Sequence, residues 1–156
     1  MMIRKATNDD IPRIVEMAQR FFPESPYPAL YGDMPDSQAA GLAIIAMQGA
    51  PGIDPGVMLV AEDAGELIGM ACLFSDRATF NPAVRIASEL VFWIEPEHRG
   101  GMAAVRLLKA AEKDAREKGV QVNRMAVMSS SPEQAAKLYE RMGYSLTECY
   151  YSKRLN

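Results

Sequence analysis

The fold is decided by residues 84–104, which read VRIASELVFWIEPEHRGGMAA. The first half, Val84 to Ile94, carries apolar side chains on both faces of a predicted strand. Such a strand is usually central, with other layers covering both of its faces. Strict alternation puts one group, Ile86, Leu90, Phe92 and Ile94, on one face and a second group, Ala87, Val91 and Trp93, on the other. A proline and two adjacent glycines then end the strand, and a helix is predicted from Met102 to Lys118.

The rest of the chain supplies shorter elements and contains no internal repeat. Apolar periodicity, caps and turn residues predict the elements before the central strand. They are a strand at residues 1–7, a helix that begins just before Pro12 and ends at Pro23, a helix from Asp36 or Ser37 to about Gln48, strands at 57–62 and 66–74 joined by a tight turn, and a loop with Asn81 and Pro82. After the helix that ends at Lys118, the same signals predict a strand at 120–128, a helix from Ser131 to Met142, and one or two strands from Tyr144 onward. The order β-α-α-β-β-β-α-β-α-β-β predicts one domain, residues 1–156, of the α/β (α+β) class.

Residues 22–36 are expected to be irregular because four prolines interrupt them. Neither a helix nor a central strand tolerates that proline density. An ordered loop of this length often serves binding, and a mobile connector is the alternative. Two tyrosines, Tyr27 and Tyr31, lie within this segment.

Composition excludes several classes of protein. The 156 residues include 17 Lys and Arg against 20 Asp and Glu, a net charge of −3, which argues against a broadly basic nucleic-acid binder. No run approaches the ~18 apolar residues of a membrane span, and the N-terminus lacks the apolar core of an export signal, so a cytoplasmic protein is expected. Cys72 and Cys149 lack paired spacing and His98 is the single histidine. We therefore expect no metal site and expect both cysteines to pack in the core.

Three features could carry chemistry. The amides of Gly100 and Gly101, ahead of a helix, could hold a phosphate, and a simple turn is the alternative. The loop lacks the P-loop ending and the three-glycine dinucleotide pattern, which disfavours an NTPase or a dehydrogenase. Glu89 is a carboxylate within an apolar strand, where burial would raise its pKa toward that of a working base; a solvated cleft or a pair with Arg85 are the alternatives. Tyr139 lies on an amphipathic helix, where an aromatic ring ordinarily packs in the core.

Taken together, these features resemble the GNAT family of acyl-CoA-dependent N-acetyltransferases over essentially the whole chain. The family's acyl-CoA loop, Arg/Gln-x-x-Gly-x-Gly/Ala, corresponds to the segment from Pro96 to Ala104. The later family pattern, Ala-x-x-Leu-Tyr-x-x-x-Gly-Phe/Tyr, is matched from Ala135 to Tyr144. The loop departs from the pattern at Met102, which replaces its central glycine and whose side chain would have to point away from a bound pyrophosphate.

The resemblance implies a mixed, mostly antiparallel central sheet that splays between its fourth and fifth strands, with helices on both faces. Acetyl-CoA would lie in the splay as a co-substrate, without a metal. The residues expected to hold it, through backbone amides or side chains, are Phe92, Trp93, Ile94, Arg99, Gly100, Gly101, Met102, Ala103 and Ala104.

The resemblance also implies direct transfer of an acetyl group to a primary amine in a ternary complex. Glu89 would be the base, directly or through water, and Tyr139 would donate a proton or a hydrogen bond to the leaving thiolate. The resemblance implies that residues 21–36 and about 75–84 help to form the substrate pocket. Tyr27 and Tyr31 are therefore expected to shape the site of a small-molecule or peptide amine, whose identity no motif encodes.

Two alternatives compete with an active N-acetyltransferase. A catalytically inactive module of the same fold, binding acyl-CoA or a protein partner, is motivated by Met102. A toxin-type transferase acting on aminoacyl-tRNA is disfavoured by the net charge of −3. No nucleic-acid or membrane partner is expected, whereas a homodimer is expected because dimers are common among folds with exposed terminal strands.

Overall fold

The computed structural model describes all residues from Met1 to Asn156. Its strands are β1 (Met2–Lys5), β2 (Val57–Asp63), β3 (Glu66–Ala78), β4 (Asn81–Ile94) and β5 (Val122–Arg124). Its helices are α1 (Ile11–Glu24), α2 (Tyr27–Tyr31), α3 (Asp36–Gln48), α4 (Ala103–Glu117) and α5 (Glu133–Arg141), with short 3-10 turns at Asn8–Asp10 and Pro96–His98. None of the helices is both long enough and apolar enough to cross a membrane.

The strands form one sheet in the order β1-β2-β3-β4-β5. The first four pair antiparallel with their neighbours, and β5 runs parallel to β4. One core cluster joins α1 and α3 to one face of the sheet, and a second joins α4 to the other face. The predicted fold class, a mixed and mostly antiparallel sheet with helices on both faces, is therefore confirmed.

The splay between the fourth and fifth strands has a defined starting point. Pairing between β4 and β5 runs only from Ile86 opposite Val122 to Ser88 opposite Arg124. Beyond Ser88, β4 continues to Ile94 while β5 has ended. The backbone edge of β4 that would face β5 is left open there, which creates a gap in the sheet.

A β-bulge in β4 corrects the predicted faces of this strand. Leu73 pairs with Glu89 and Cys72 pairs with Val91, so Leu90 is an extra residue. The bulge shifts the alternation because two residues of β4 oppose one of β3. Ala87 consequently packs on the α4 side of the sheet, whereas Val91 and Trp93 pack on the α1 and α3 side. The prediction that these three side chains share one face was wrong.

The proline-rich segment also differs from the expectation, because helix α1 extends to Glu24 and α2 occupies Tyr27–Tyr31. Pro23 lies in the last turn of α1, where its missing N–H removes a single helical bond. Pro28 lies in the first turn of α2, where the N–H groups have no helical partner. Prolines are tolerated at helix ends. The number of prolines in residues 22–36 therefore did not predict correctly that the segment would be irregular.

Three further segments were predicted incorrectly. The strand expected at 120–128 forms only from Val122 to Arg124. The expected loop around Asn81 and Pro82 is largely ladder, because β3 runs to Ala78 and β4 begins at Asn81. The expected terminal strands after Tyr144 do not form, and Cys149 is exposed instead of packing in the core. Strand propensity reflects packing on a half-buried surface, and residues 145–156 are all exposed. Cys72, in β3, is buried as expected.

A buried carboxylate fixes the point where β4 turns toward α4. Glu95 is only 3% exposed. Its two oxygens accept hydrogen bonds from Arg13 at 2.7 Å and from Arg20 at 3.1 Å, both from α1. Arg13 also donates to the carbonyl of Leu67 in β3 at 3.2 Å. These bonds tie α1 to the end of the central strand, immediately before the glycine-containing loop.

Glu95→Gln is expected to lower the free energy of unfolding by about 1–3 kcal/mol at pH 7, because charge-assisted hydrogen bonds to a buried group are lost. Glu97→Gln is the matched control, since Glu97 is an exposed carboxylate of the same turn, and we expect it to change stability by less than about 0.5 kcal/mol. Urea denaturation of the three proteins measures both values. Equal stability of the two variants would contradict this role for Glu95.

Candidate active site

Two cavities meet at Glu89. The first, called the loop cavity, has a volume of about 250 Å³ and lies between the splayed strand ends, the segment 98–101 and α5. The second, called the helix cavity, has a volume of about 480 Å³ and lies between the sheet and α1, α2 and α3. Glu89 and Phe21 line both. A molecule in either cavity can therefore reach the same carboxylate.

The loop cavity is bordered by a run of free backbone amides. The N–H groups from Gly100 to Val105 donate to no protein acceptor, and the first helical bond of α4 is the one from Arg106 to Met102. Gly100 has a φ of +83°, a conformation that favours glycine. No atom lies within 4 Å of the position of a Cβ at Gly100 or Gly101. The segment thus offers an open cradle of partial positive charge, suited to an anion such as a phosphate.

Most of the residues predicted to hold the co-substrate line this cavity. They are Phe92, Trp93, Ile94, Arg99, Gly100, Gly101 and Ala104. Two do not: the side chain of Met102 is 62% exposed and that of Ala103 is buried in the core beneath α4. Only the backbone amides of these two residues are available to a ligand. The Met102 side chain points to solvent. This is the direction expected if a methionine is to replace the glycine of the family pattern without blocking a bound pyrophosphate.

Arg99 fixes the loop to the end of β4. Its guanidinium lies 4.5 Å from the ring centroid of Trp93, and its Nε donates to the carbonyl of Ile94 at 2.8 Å. Its Nη2 also pairs with Glu24 of α1 at 3.3 Å. The Arg99 charge is therefore partly balanced by a carboxylate, which leaves the backbone amides from Gly100 to Val105 as the donors of the loop without a protein partner.

Glu89 occupies the gap in the sheet. Its Oε2 accepts a hydrogen bond from the amide of Ala126 at 2.8 Å, in place of the missing ladder bonds. Burial raises the pKa of Glu89 to about 7, although hydrogen bonds from Ala126 and Tyr139 oppose the rise. Arg85 pairs instead with Asp54 at 3.1 Å, so the alternative that Glu89 pairs with Arg85 is wrong. The carboxyl can change its protonation state near neutral pH.

Tyr139 projects from α5 into the loop cavity and is 8% exposed. Burial and the neighbouring charge of Glu89 raise the pKa of its phenol well above the ordinary value. The ring packs on Tyr144 with a centroid separation of 5.8 Å. The Tyr144 hydroxyl in turn donates to Glu112 and accepts from Asn123, each at 2.9 Å. Tyr139 is therefore a firmly placed, protonated hydroxyl.

The predicted substrate residues Tyr27 and Tyr31 line the helix cavity. Their rings stack with a centroid separation of 5.6 Å, and Tyr27 also stacks on Phe22 at 6.5 Å. Residues 75–84, which the family resemblance also implied, line neither cavity because most of them pair in the β3–β4 ladder.

Several lining residues were missed by the sequence analysis. Ser130, Ser131 and Gln134, around the start of α5, border the loop cavity. The serine and proline of this segment predicted a helix start, and α5 does begin directly after Pro132. Ser131 does not cap the helix, because its Oγ accepts a hydrogen bond from the Met128 amide of the preceding turn at 2.9 Å. No sequence signal indicated that this helix start would face the glycine-containing loop.

Comparison with known proteins agrees with this architecture. The acetyltransferase (GNAT) family model matches residues 11–144. Similar solved structures include a ribosomal-protein-alanine N-acetyltransferase from Brucella melitensis biovar Abortus 2308, with 17% identity, a TM-score of 0.73 and coverage of 99% of this chain and 100% of that chain. A predicted acetyltransferase from Clostridium acetobutylicum with acetyl-CoA has 19% identity, a TM-score of 0.71 and coverage of 99% and 96%. Glucosamine-6-phosphate N-acetyltransferase from Arabidopsis thaliana has 13% identity, a TM-score of 0.71 and coverage of 99% and 98%.

The chain belongs to the acetyltransferase (GNAT) family, as the match over most of its length shows. The solved structures share its fold. No curated protein matches the sequence. Membership of this family supports an acyltransferase activity. The family resemblance that the two sequence motifs indicated is confirmed.

Glu89→Gln is expected to stabilise the protein above pH 7. The pKa of about 7 in the folded protein lies above the ordinary glutamate value of 4.5. The wild type therefore loses stability as pH rises through that interval, and a variant with a neutral amide does not. Because Glu89 remains partly exposed to the cavities, we expect a gain of only ~1–2 kcal/mol at pH 8 and little difference at pH 4.5.

Urea denaturation at the two pH values measures this gain. Glu66→Gln, an exposed carboxylate at the start of β3, is the matched control and should show no comparable pH-dependent gain. A Glu89→Gln variant that is equally destabilised at both pH values would show that the carboxylate is not held in an unfavourable environment.

Proposed function

We propose that this chain transfers an acetyl group from acetyl-CoA to a primary amine by direct attack in a ternary complex, with residues 1–156 acting as one acetyltransferase domain. The observation that carries the proposal is the position of Glu89 at the junction of two cavities. One cavity is bordered by an anion cradle and a protonated tyrosine, and the other is open to a second substrate. Two substrates bound in this way would meet beside a carboxyl that titrates near neutral pH.

The loop cavity suits acetyl-CoA. The free amides from Gly100 to Val105 fit its pyrophosphate, and the open edge of β4 from Phe92 to Ile94 fits an extended arm that pairs like an added strand. The indole Nε1 of Trp93 is a buried donor without a partner in the same wall. When bound, acetyl-CoA supplies an acetyl group activated as a thioester.

Glu89 acts as the base in this proposal. Its carboxylate, ionised at and above a pH of about 7, accepts a proton from the ammonium form of the acceptor, directly or through one water. The free amine then forms a bond with the acetyl carbon. The Glu89 carboxylate borders both cavities. It can therefore hold the amine nitrogen of a molecule in the helix cavity so that the nitrogen faces the acetyl carbon of acetyl-CoA in the loop cavity.

Tyr139 completes the transfer. As the carbon–sulfur bond breaks, its hydroxyl gives a proton or a hydrogen bond to the departing sulfur, which leaves as the thiol of coenzyme A. The charge of Glu89 contributes to the raised pKa of this phenol, so the proton that Glu89 takes from the ammonium makes Tyr139 a better donor. The nitrogen loses its second proton as the amide forms, and that proton restores the Tyr139 phenol directly or through water. Glu89 then releases its proton to solvent, so the ammonium and acetyl-CoA give the amide, the thiol of coenzyme A and one proton.

The position of Met102, the residue that motivated the alternative of an inactive module, does not favour that alternative. Met102 was its sequence signal, and the Met102 side chain points to solvent, outside the residues that line the loop cavity. Its backbone amide remains free to face an anion. Release of thiol from acetyl-CoA in the presence of a diverse amine panel tests the proposed function. Stabilisation by acetyl-CoA without turnover on any amine would instead support the inactive module.

Tyr139→Phe is expected to lower kcat by about 10²-fold or more, because loss of a general acid typically has this effect. The KM for acetyl-CoA should change little, since the ring remains in place. Steady-state kinetics of thiol release measure both constants. Tyr151→Phe, which removes an exposed hydroxyl outside both cavities, is the control. Unchanged kcat in Tyr139→Phe would rule out its role as the acid.

Gly100→Ala is expected to weaken acetyl-CoA binding by about five- to tenfold. An alanine at a φ of +83° is strained by ~1 kcal/mol, and relaxation of that strain would move the amides away from the pyrophosphate.

Gly119→Ala is the matched control. Gly119 follows the opposite end of α4 at a φ of +80° and also has open space around its Cβ position. Both variants should lose similar stability, whereas only Gly100→Ala should raise the Kd of acetyl-CoA in calorimetry. An equal Kd in the two variants would contradict the amide cradle.

A further inference from the structure

The wall of the helix cavity is mainly apolar. Fifteen of its nineteen lining residues are hydrophobic. They come from α1, α2, α3 and the inner face of the sheet, and examples are Ile14, Leu42, Met58 and Met70. The volume of about 480 Å³ lies in the range of ~300–1,000 Å³ typical of small-molecule sites. A ligand that fills this space must replace water against apolar side chains.

The charged groups of the cavity are all acidic. Glu89 lies at the inner junction with the loop cavity and Asp33 is exposed, and neither lysine, arginine nor histidine lines the wall. A carboxylate or phosphate on the ligand would be removed from water without a cationic partner, which is strongly unfavourable. An ammonium group, by contrast, has a carboxylate to meet at Glu89.

An aromatic wall leads toward that carboxylate. Phe22, Tyr27 and Tyr31 form a continuous stack along one side of the cavity. Tyr27 lies near enough to Glu89 for that charge to help raise its phenol pKa, after the larger effect of burial. Ring faces attract cations and also pack against apolar or aromatic groups. The stack can therefore guide an ammonium and then cover the skeleton that carries it.

We infer that the acceptor is a primary amine on an uncharged, apolar or aromatic skeleton, with its nitrogen at Glu89 and its skeleton in the helix cavity. This inference rests on the proposed function and narrows it to one class of amine. Amines that carry a carboxylate or phosphate beside the reacting nitrogen are disfavoured because the wall offers no cation for them. Amines with many hydroxyl groups are disfavoured because few polar side chains line the wall.

Matched pairs of amines test this class. We compare phenethylamine with phenylalanine, tryptamine with tryptophan and pentylamine with 6-aminohexanoate, pairs in which a carboxylate replaces one hydrogen, and include glucosamine as a hydroxylated amine. The member of each pair without the carboxylate should have a kcat/KM higher by roughly 10²-fold, since an unpartnered buried charge is costly. Preference for the carboxylate-bearing members or for glucosamine would overturn the inference while leaving the acetyltransferase proposal intact.

A charge introduced into the wall gives a second test. Gln38 lines the cavity from the exposed side of α3, so Gln38→Arg should fold and should supply the missing cation. We expect the ratio of kcat/KM for tryptamine over that for tryptophan to fall by about tenfold. Gln48→Arg, at the end of the same helix and outside the cavity, is the control. An unchanged ratio in Gln38→Arg would contradict binding of the skeleton in the helix cavity.

Binding measurements separate failure of this inference from failure of the proposed function. Calorimetry with phenethylamine alone reports on the helix cavity, and calorimetry with acetyl-CoA alone reports on the loop cavity. Phenethylamine binding that Tyr27→Ala weakens, without turnover, would support the cavity assignment and overturn the catalytic proposal. Turnover of other amines with no binding of phenethylamine, pentylamine or tryptamine would overturn the cavity assignment alone.

Discussion

The ladder between β4 and β5 ends at Ser88 and Arg124, and the whole candidate site depends on that ending. Buried backbone groups of a sheet need partners, so the open edge of β4 is unfavourable unless other groups fill it. Glu89 fills part of the gap through its bond to the amide of Ala126. The remaining edge of β4 is open to a ligand. The same gap keeps the Glu89 carboxyl in surroundings that raise its pKa to about 7, a loss of stability that a working base would explain.

Much of the fold could be predicted from the sequence because its signals are local. Apolar strands, the glycine stop after α4 and the proline before the first turn of α5 each depend on neighbours within a few residues. The bulge at Leu90 could not be predicted in this way, because it is defined by the register against β3. The prediction for the terminal segment failed for a related reason: its residues have strand propensity, but they are exposed and do not pack on the sheet. Pro23 and Pro28 were misjudged because their effect depends on their position within a helix turn.

The candidate site was predictable to the extent that motifs carry it. The loop from Arg99 to Ala104 and the tyrosine of α5 were identified from the resemblance of two motifs to those of the family, and most of that loop, Tyr139 and Glu89 line the same cavity. The helix cavity was not predictable, because its wall is assembled from three helices and the sheet, each contributing a few apolar residues without a pattern of its own. Tyr27 and Tyr31 were selected only by residue type within a segment expected to be irregular. Their stacking follows from helix α2, which the proline content had hidden.

The central claim is that Glu89 is a base poised between two substrates. The pH dependence of kcat, measured at saturating acetyl-CoA and amine in wild type and in Glu89→Gln, tests this most directly, because kcat reports the ionisation of groups in the ternary complex. We predict that wild-type kcat rises with pH through an apparent pKa near 7, as deprotonation of Glu89 requires. In Glu89→Gln this rise should be absent and kcat should be low at every pH. A rise with the same midpoint and amplitude in both proteins would contradict the account.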